Sequence, residues 1–317
     1  MTAVLVTGGS GFIAGHCIDL LVEQGHDVRT TVRSLDRAPD LKGVSFHQAD
    51  LLNDDGWAEA VRGVDYVLHV ASPVAPGHVD NEDDLIVPAR EGTLRVLRAA
   101  RDAHVKRVVL TSAFHAVGWG HPHDDHVFTE ADWTVLDGPG TDAYGRSKTL
   151  AERAAWDFAE KESLPLTTIL PVAVMGPARG GAASGANHIV QLMLTGAMPA
   201  FPNLWIPIVD VRDVARAHVL AMTADGAAGE RFLVADGPAL PMARIGAILR
   251  EHLGDLAGKV PTRELAEAPP ALRADWGYAR QVSSEKARRV LGWEPRPGAE
   301  AVVAAGRSLI EQGLVAG

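Results

Sequence analysis

Cysteine occurs once, at Cys17, which excludes an internal disulfide framework. The residue falls on the apolar side of the first predicted helix and reads as a small core side chain. No uninterrupted run of about twenty apolar residues occurs, so no transmembrane helix is expected, and no basic-then-apolar leader precedes the first apolar run. Basic residues are in deficit. Thirty Lys and Arg against forty Asp and Glu leave a formal net charge of −10, with no basic footprint for nucleic acid. There is no internal repeat and no low-complexity tract. The expectation is a soluble, reduced, cytoplasmic protein. What is abundant is apolar side chain: 47% of 317 residues argues against disorder and fills a sizeable core. That length fits one large α/β domain, or one domain with a smaller C-terminal extension.

The chain is organised around Thr7-Gly8-Gly9-Ser10-Gly11-Phe12-Ile13-Ala14. An apolar run, residues 3–6, precedes it, and a helical pattern through Ile18, Leu20, Leu21 and Val22 follows. Strand, glycine turn and helix in that order suit a dinucleotide. Gly8 permits the tight turn, Gly11 bares the backbone to a pyrophosphate, and Ala14 allows close helix–strand packing. The helix N-terminus adds amide donors and a positive dipole.

The second predicted strand, residues 28–32, ends at Arg33, with Arg37 four residues later. NAD-binding folds usually place an acid there for the adenosine ribose; a guanidinium suits a 2′-phosphate instead, so NADP(H) is expected. Asp50 at the end of a third strand is placed to bond the adenine amino group, with Leu51 packing on the ring. A fourth strand ends in Val70-Ala71-Ser72, small residues suited to a backbone pressed against the cofactor. Gly92 interrupts a long helix, predicted over about 82–104. Because glycine costs roughly 1 kcal/mol there relative to alanine, close packing or cofactor approach is expected at that point. A fifth strand, residues 107–112, runs into Thr111-Ser112-Ala113. Alternation of strand and helix predicts a parallel sheet with right-handed crossovers and ligands at the strand carboxyl ends.

Residues 120–126 hold three histidines and two aspartates, but their flanking Gly120 and Pro122 fit a loop, and no helical metal-ligand spacing is present. No metal is predicted. Tyr144 and Lys148, four apart at the start of a predicted helix, share one face, where the ammonium should lower the phenol pKa and fit it for proton transfer. Beyond Pro171-Val172 glycine and proline become dense. The order then runs to helices near 189–195, 211–222 and 242–252, strands at 206–209 and 232–234, and a last amphipathic helix over 299–312. Trp119, Phe201 and Trp205 fall in segments that either face a pocket, favouring a hydrophobic or aryl carbonyl, or pack as ordinary core.

Together these residues resemble the extended short-chain dehydrogenase/reductase family, in its dihydroflavonol-reductase and aldehyde-reductase branch. Further marks of the resemblance are Glu91-Gly92-Thr93, residues 106–112, Asp210-Val211-Arg212-Asp213-Val214-Ala215 and Leu291-Gly292-Trp293. The resemblance implies a Rossmann-type doubly wound parallel sheet over residues 1–171, rejoined at about 206–234. The remainder, 172–317, would form mainly a smaller C-terminal substrate-binding lobe. It implies NADPH as hydride donor and Tyr144 as proton donor. Lys148 would hold the nicotinamide ribose, and Pro171 and Val172 would lie beside the nicotinamide. A homodimer through the long helices would also be in keeping. One departure stands out: the family's Thr-Ser-Ser reads Thr111-Ser112-Ala113 here, so Ala113 occupies the catalytic serine's place. His115 or Ser112 could supply the lost hydrogen bond. If strand alternation continues, Thr111, Ala113 and His115 share a face and His115 is the better placed. The expected activity is reversible NADPH-dependent reduction of aldehydes or ketones. The alternatives are a sugar epimerase or dehydratase, and a cofactor-binding regulator without turnover.

Overall fold

The computed structural model describes residues 2–73 and 79–315. Seven parallel strands form the central sheet: β1 Ala3–Val6, β2 Asp27–Val32, β3 Val44–Gln48, β4 Tyr66–His69, β5 Arg107–Thr111, β6 Leu166–Pro171 and β7 Glu230–Val234. Their spatial order is β3-β2-β1-β4-β5-β6-β7, with Val4 in register with Val28 on one side and Tyr66 on the other. The order reverses between β1 and β4, and ligands bind α/β sheets in the crevice at such a reversal.

Short, near-continuous apolar strands follow from burial on both faces. Val4, Val6, Leu68, Val109 and Ile169 point to one side, where α1 (Phe12–Glu23) brings Ala14, Cys17, Ile18 and Leu21. Leu5, Val67, Val108 and Leu110 point to the other and meet Val96 and Leu97. Beside β3 stands the short α2 (Trp57–Ala60). The second layer is α3 (Asp83–Asp102) packed on α4 (Ala143–Glu162). Gly92 of α3 is explained by close packing: a Cβ there would lie 3.0 Å from the Cβ of Leu51.

A second core lies beyond the sheet. It gathers α5 (Asn187–Thr195), α7 (Met242–Leu253) and α9 (Gly298–Glu311) around Met193, Ile245, Leu249, Val302 and Leu309. Between them, α6 (Val211–Thr223) packs on α1, and α8 (Glu285–Leu291) ends at the left-handed Gly292. Trp293 is fully buried and its indole donates to the Asp213 carbonyl (2.8 Å), while the Asp213 carboxylate accepts from the Arg296 amide (2.7 Å). Thus the Asp210–Ala215 and Leu291–Trp293 motifs are two halves of one joint.

Two expectations change in this region. The strand predicted over 206–209 is two short strands, Trp205–Ile206 and Ile208–Asp210, which pair with Leu240–Pro241 and Ala173–Met175 respectively. Pro207, with no amide to donate, stands at the break. Phe201, offered as a pocket residue, is 2% exposed inside the second core, where a Cβ on Gly246 would meet its ring at 2.2 Å. Of the two readings of that aromatic, core packing holds. No helix among the described residues is long and apolar enough to cross a membrane.

Candidate active site

The crevice at the sheet reversal is built from the ends of β1 and β4. Thr7 is buried, and its hydroxyl accepts from the amides of Val70 (3.0 Å) and Ala71 (2.9 Å) while contacting His69 Nδ1 (2.9 Å). This ties the glycine turn to the β4 end. Gly8 has φ +76° and its amide donates to Thr31 Oγ1 (3.0 Å); a Cβ there would lie 3.0 Å from that of Ala71. Only glycine takes that conformation without strain. Gly9, not singled out in the sequence, is buried against Thr30, where a Cβ would stand 2.4 Å from Oγ1. Ser10 and Gly11 are exposed, with Phe12 and Ile13 half-buried behind them. Gly11 caps α1 with no side-chain hydrogen bond, and no acid sits in the first turn. The first-turn amides therefore carry no side-chain cap from any described residue, an arrangement suited to an anion.

Arg33 precedes, and Arg37 ends, a 3-10 turn after β2, residues Leu35–Arg37. Both are exposed, and neither side chain makes a hydrogen bond or ion pair among the described residues. Asp50 is half-buried; its Oδ1 accepts from the Leu52 amide (3.0 Å), a local turn that leaves the other oxygen without a donor among the described residues. Leu51 packs beneath α3.

The catalytic candidates sit at the β5 and α4 ends. Asp142 caps α4 by accepting from the Gly145 amide (2.7 Å), which fixes the first turn carrying Tyr144. Lys148 Nζ lies 5.7 Å from the centre of the Tyr144 ring and 3.0 Å from Ser72 Oγ. Burial lowers the Lys148 pKa to about 8. Burial also pushes the Tyr144 phenol up to about 12, with Asp142 adding to the rise. The phenol is thus raised by burial and Asp142 rather than lowered by Lys148 as expected, and it keeps its proton at neutral pH.

Ala113 and its neighbours settle which side chain faces the phenol. Ser112 is buried and donates to Glu152 Oε2 (2.7 Å), while Thr111 Oγ1 contacts His218 Nε2 (2.7 Å). The strand does not continue. A 3-10 turn over Phe114–Ala116 follows, so the alternation argument for His115 fails. That turn instead sets the imidazole edge-on to Tyr144, ring centres 4.9 Å apart. The other face of His115 stacks on Trp119 at 3.8 Å. Burial lowers the His115 pKa to about 4, so the ring is neutral in the working range. His115→Ala is expected to lower turnover more than Ser112→Ala. Steady-state rates of the two variants check this; a large Ser112 effect beside a silent His115 would refute it.

Trp119 is thus beside the catalytic candidates, with the Arg280 guanidinium 4.6 Å from its ring centre. Arg280 donates to the Gly118 carbonyl (2.7 Å) and to Asp275 (2.6 Å), a wall that sequence spacing could not reveal. Trp205 is 38% exposed on its own short strand pair and contacts none of these residues. Pro171 and Val172 are buried at the β6 end. The histidines of residues 121–126 disperse. His121 Nε2 lies against the carbonyls of Val117 and Trp133, His123 stacks on Tyr278, and His126 pairs with Asp132.

A doubly wound sheet with an uncapped glycine turn at its crevice suits a dinucleotide, and the Tyr144–Lys148 pair stands beside it. Residues 4–235 match the NAD dependent epimerase/dehydratase family, and the chain belongs to that family, on its dihydroflavonol-reductase and aldehyde-reductase side. It is 32% identical over 289 residues to an anthocyanidin reductase of Vitis vinifera, with 84% of each chain covered. It is 34% identical to the cinnamoyl-CoA reductase CAD2 of Medicago truncatula, covering 93% of this chain and 91% of that one. Among solved structures it is similar to the yeast methylglyoxal/isovaleraldehyde reductase complexed with NADPH. The TM-score is 0.83 at 26% identity, with 99% of this chain and 100% of that one covered.

Proposed function

We propose that this chain reduces the carbonyl group of a hydrophobic or aryl aldehyde or ketone, with Tyr144 delivering the proton. It is an NADP-dependent oxidoreductase, and its cofactor is NADP(H). The residues present fit that group. The uncapped amides behind Gly8, Ser10 and Gly11 suit the pyrophosphate, Arg33 and Arg37 the 2′-phosphate, and Asp50 with Leu51 the adenine. Val70, Ala71, Ser72, Pro171 and Val172 would line the path toward the nicotinamide. When bound, NADPH supplies a hydride. The chain's own part is to hold the carbonyl oxygen and protonate it.

The observation that carries the reading is the pairing of Tyr144 with His115. Their rings are in contact, and neither phenol nor imidazole is hydrogen-bonded to another described residue. A protonated phenol donates to the substrate oxygen, and a neutral imidazole can donate a second hydrogen bond to it from beyond Ala113. Lys148, held by Ser72, places a positive charge where the phenolate develops. The stacked His115 and Trp119 rings favour an apolar or aryl group beside the carbonyl. Relatives named as anthocyanidin, cinnamoyl-CoA and methylglyoxal/isovaleraldehyde reductases support a reductase reading, the last of them an aldehyde reductase. Arg33 at the β2 end, where an acid would hold the ribose, disfavours an epimerase-like cycle. Association of two copies through the outer faces of α3 and α4 belongs to the same reading.

A panel of aryl and aliphatic aldehydes and ketones, followed by loss of NADPH absorbance, tests this. Turnover of aryl or hydrophobic members is expected; NADPH bound but unconsumed across the panel would favour a regulator.

A further inference from the structure

Below Tyr144 and Lys148, α4 continues the four-residue spacing with Glu152 and Trp156, so the four positions run along one helical face. Glu152 is 1% exposed, yet it is fully engaged. Its Oε1 accepts from Arg231 Nε (2.8 Å), Thr168 Oγ1 (2.9 Å) and Trp156 Nε1 (3.2 Å). Its Oε2 accepts from Ser112 Oγ (2.7 Å) and Arg231 Nη2 (3.2 Å). Arg231, from β7, is fixed in turn. Its Nη1 donates to the carbonyls of Glu130 (2.7 Å) and Asp132 (2.8 Å), and its guanidinium lies 3.7 Å from the centre of the Trp133 ring. A buried ion pair is weak ground for stability, because desolvation cancels much of its attraction. This one borders the active site. Glu152 and Lys148 line a single small pocket with Ser72, Thr93, Thr111 and Ser112. With both carboxylate oxygens taken by other donors, Lys148 forms no ion pair with Glu152 and bonds Ser72 instead.

We propose that Glu152, clamped by Arg231, is a positioning residue whose charge, acting across this pocket, keeps the Lys148 ammonium protonated while leaving it free to serve the cleft. The inference rests on the reading of Lys148 as an active-site group. Lys148 faces Tyr144 and Glu152 along its own helix, His69 at the β4 end and His115 on the turn after β5. From α3 it meets Ala89 and Thr93, which carry no charge. Burial holds both histidines neutral, at about 3 for His69 and about 4 for His115. Glu152 is then the negative charge among these groups. Burial drives the lysine down and Glu152 opposes it, leaving a pKa of about 8.

The sequence has six lysines, so lysine labelled with 13C at Cε yields few enough signals to assign, Lys148 being the one lost in Lys148→Arg. In the full-length protein, Glu152→Gln is expected to lower the Lys148 titration midpoint by about one pH unit or more. The other five lysines should stay in place. The alkaline limb of the turnover profile should move toward neutral pH by the same amount. Because Glu152→Gln leaves Arg231 buried without its partner, Glu152→Gln/Arg231→Met removes both charges and keeps an apolar stem against Trp133; a downward shift is expected there too. A merely structural role would lower thermal stability and leave the midpoint unmoved in both variants, and that result overturns the proposal. The titration involves no catalysis, so failure of Tyr144 as proton donor would show in turnover alone.

Discussion

Replacing Tyr144 with phenylalanine is expected to lower turnover by about two to four orders of magnitude while NADPH binding survives. The substitution removes one oxygen and keeps the ring, so the contact with His115 and the packing at the start of α4 persist. Burial holds the phenol at about 12, which keeps it protonated and able to donate at neutral pH. His115, at about 4, carries no proton to spare above that value and cannot replace it as an acid. Lys148, at about 8, loses its charge as pH rises through that value, so wild-type turnover should decline on the alkaline side. Rates within a few-fold of wild type in the phenylalanine variant would remove Tyr144 from the mechanism.

Arg33→Ala is expected to weaken NADPH by about ten- to hundredfold and NADH hardly at all, the range of one lost hydrogen bond to a charged group. The Arg33 and Arg37 side chains stand exposed at the β2 end, engaged by no carboxylate or carbonyl among the described residues. Arg37, a turn away, should retain part of the attraction, so Arg33→Ala/Arg37→Ala should lose more. Fluorescence titration of both cofactors into wild type and variants checks this. Equal losses for NADPH and NADH would detach Arg33 from the 2′-phosphate.

Elements buried by a regular pattern were legible from sequence. The runs at residues 3–6 and 107–111 are too apolar for a one-sided sheet, and the Gly8–Gly11 turn dictates what must follow the first of them. The Tyr144–Lys148 pair was legible because a helix makes four-residue neighbours touch. Elements set by distant partners were not. The strands Trp205–Ile206 and Ile208–Asp210 are each two or three residues long and exist only through pairing with Leu240–Pro241 and Ala173–Met175. An aromatic such as Phe201 carries no sign of which side it faces until the second core forms around it. His115 was found by assuming strand geometry that ends at Thr111; the turn over Phe114–Ala116 brought it to Tyr144 by another route. Glu152 did leave a signal, as the next step of the Tyr144–Lys148 spacing, but its clamp Arg231 lies 79 residues away.

The most direct test of the central claim is isotopic. NADPH carrying deuterium at the transferable C4 position, supplied with a carbonyl compound that the panel shows to be consumed, should yield an alcohol one mass unit heavier, with the label on the former carbonyl carbon. Wild-type enzyme should place it on one face, and Tyr144→Phe should form the same labelled product far more slowly. Product that forms at wild-type rate without deuterium would mean that no hydride passes from cofactor to carbonyl, and would contradict the assignment of this site as a reductase.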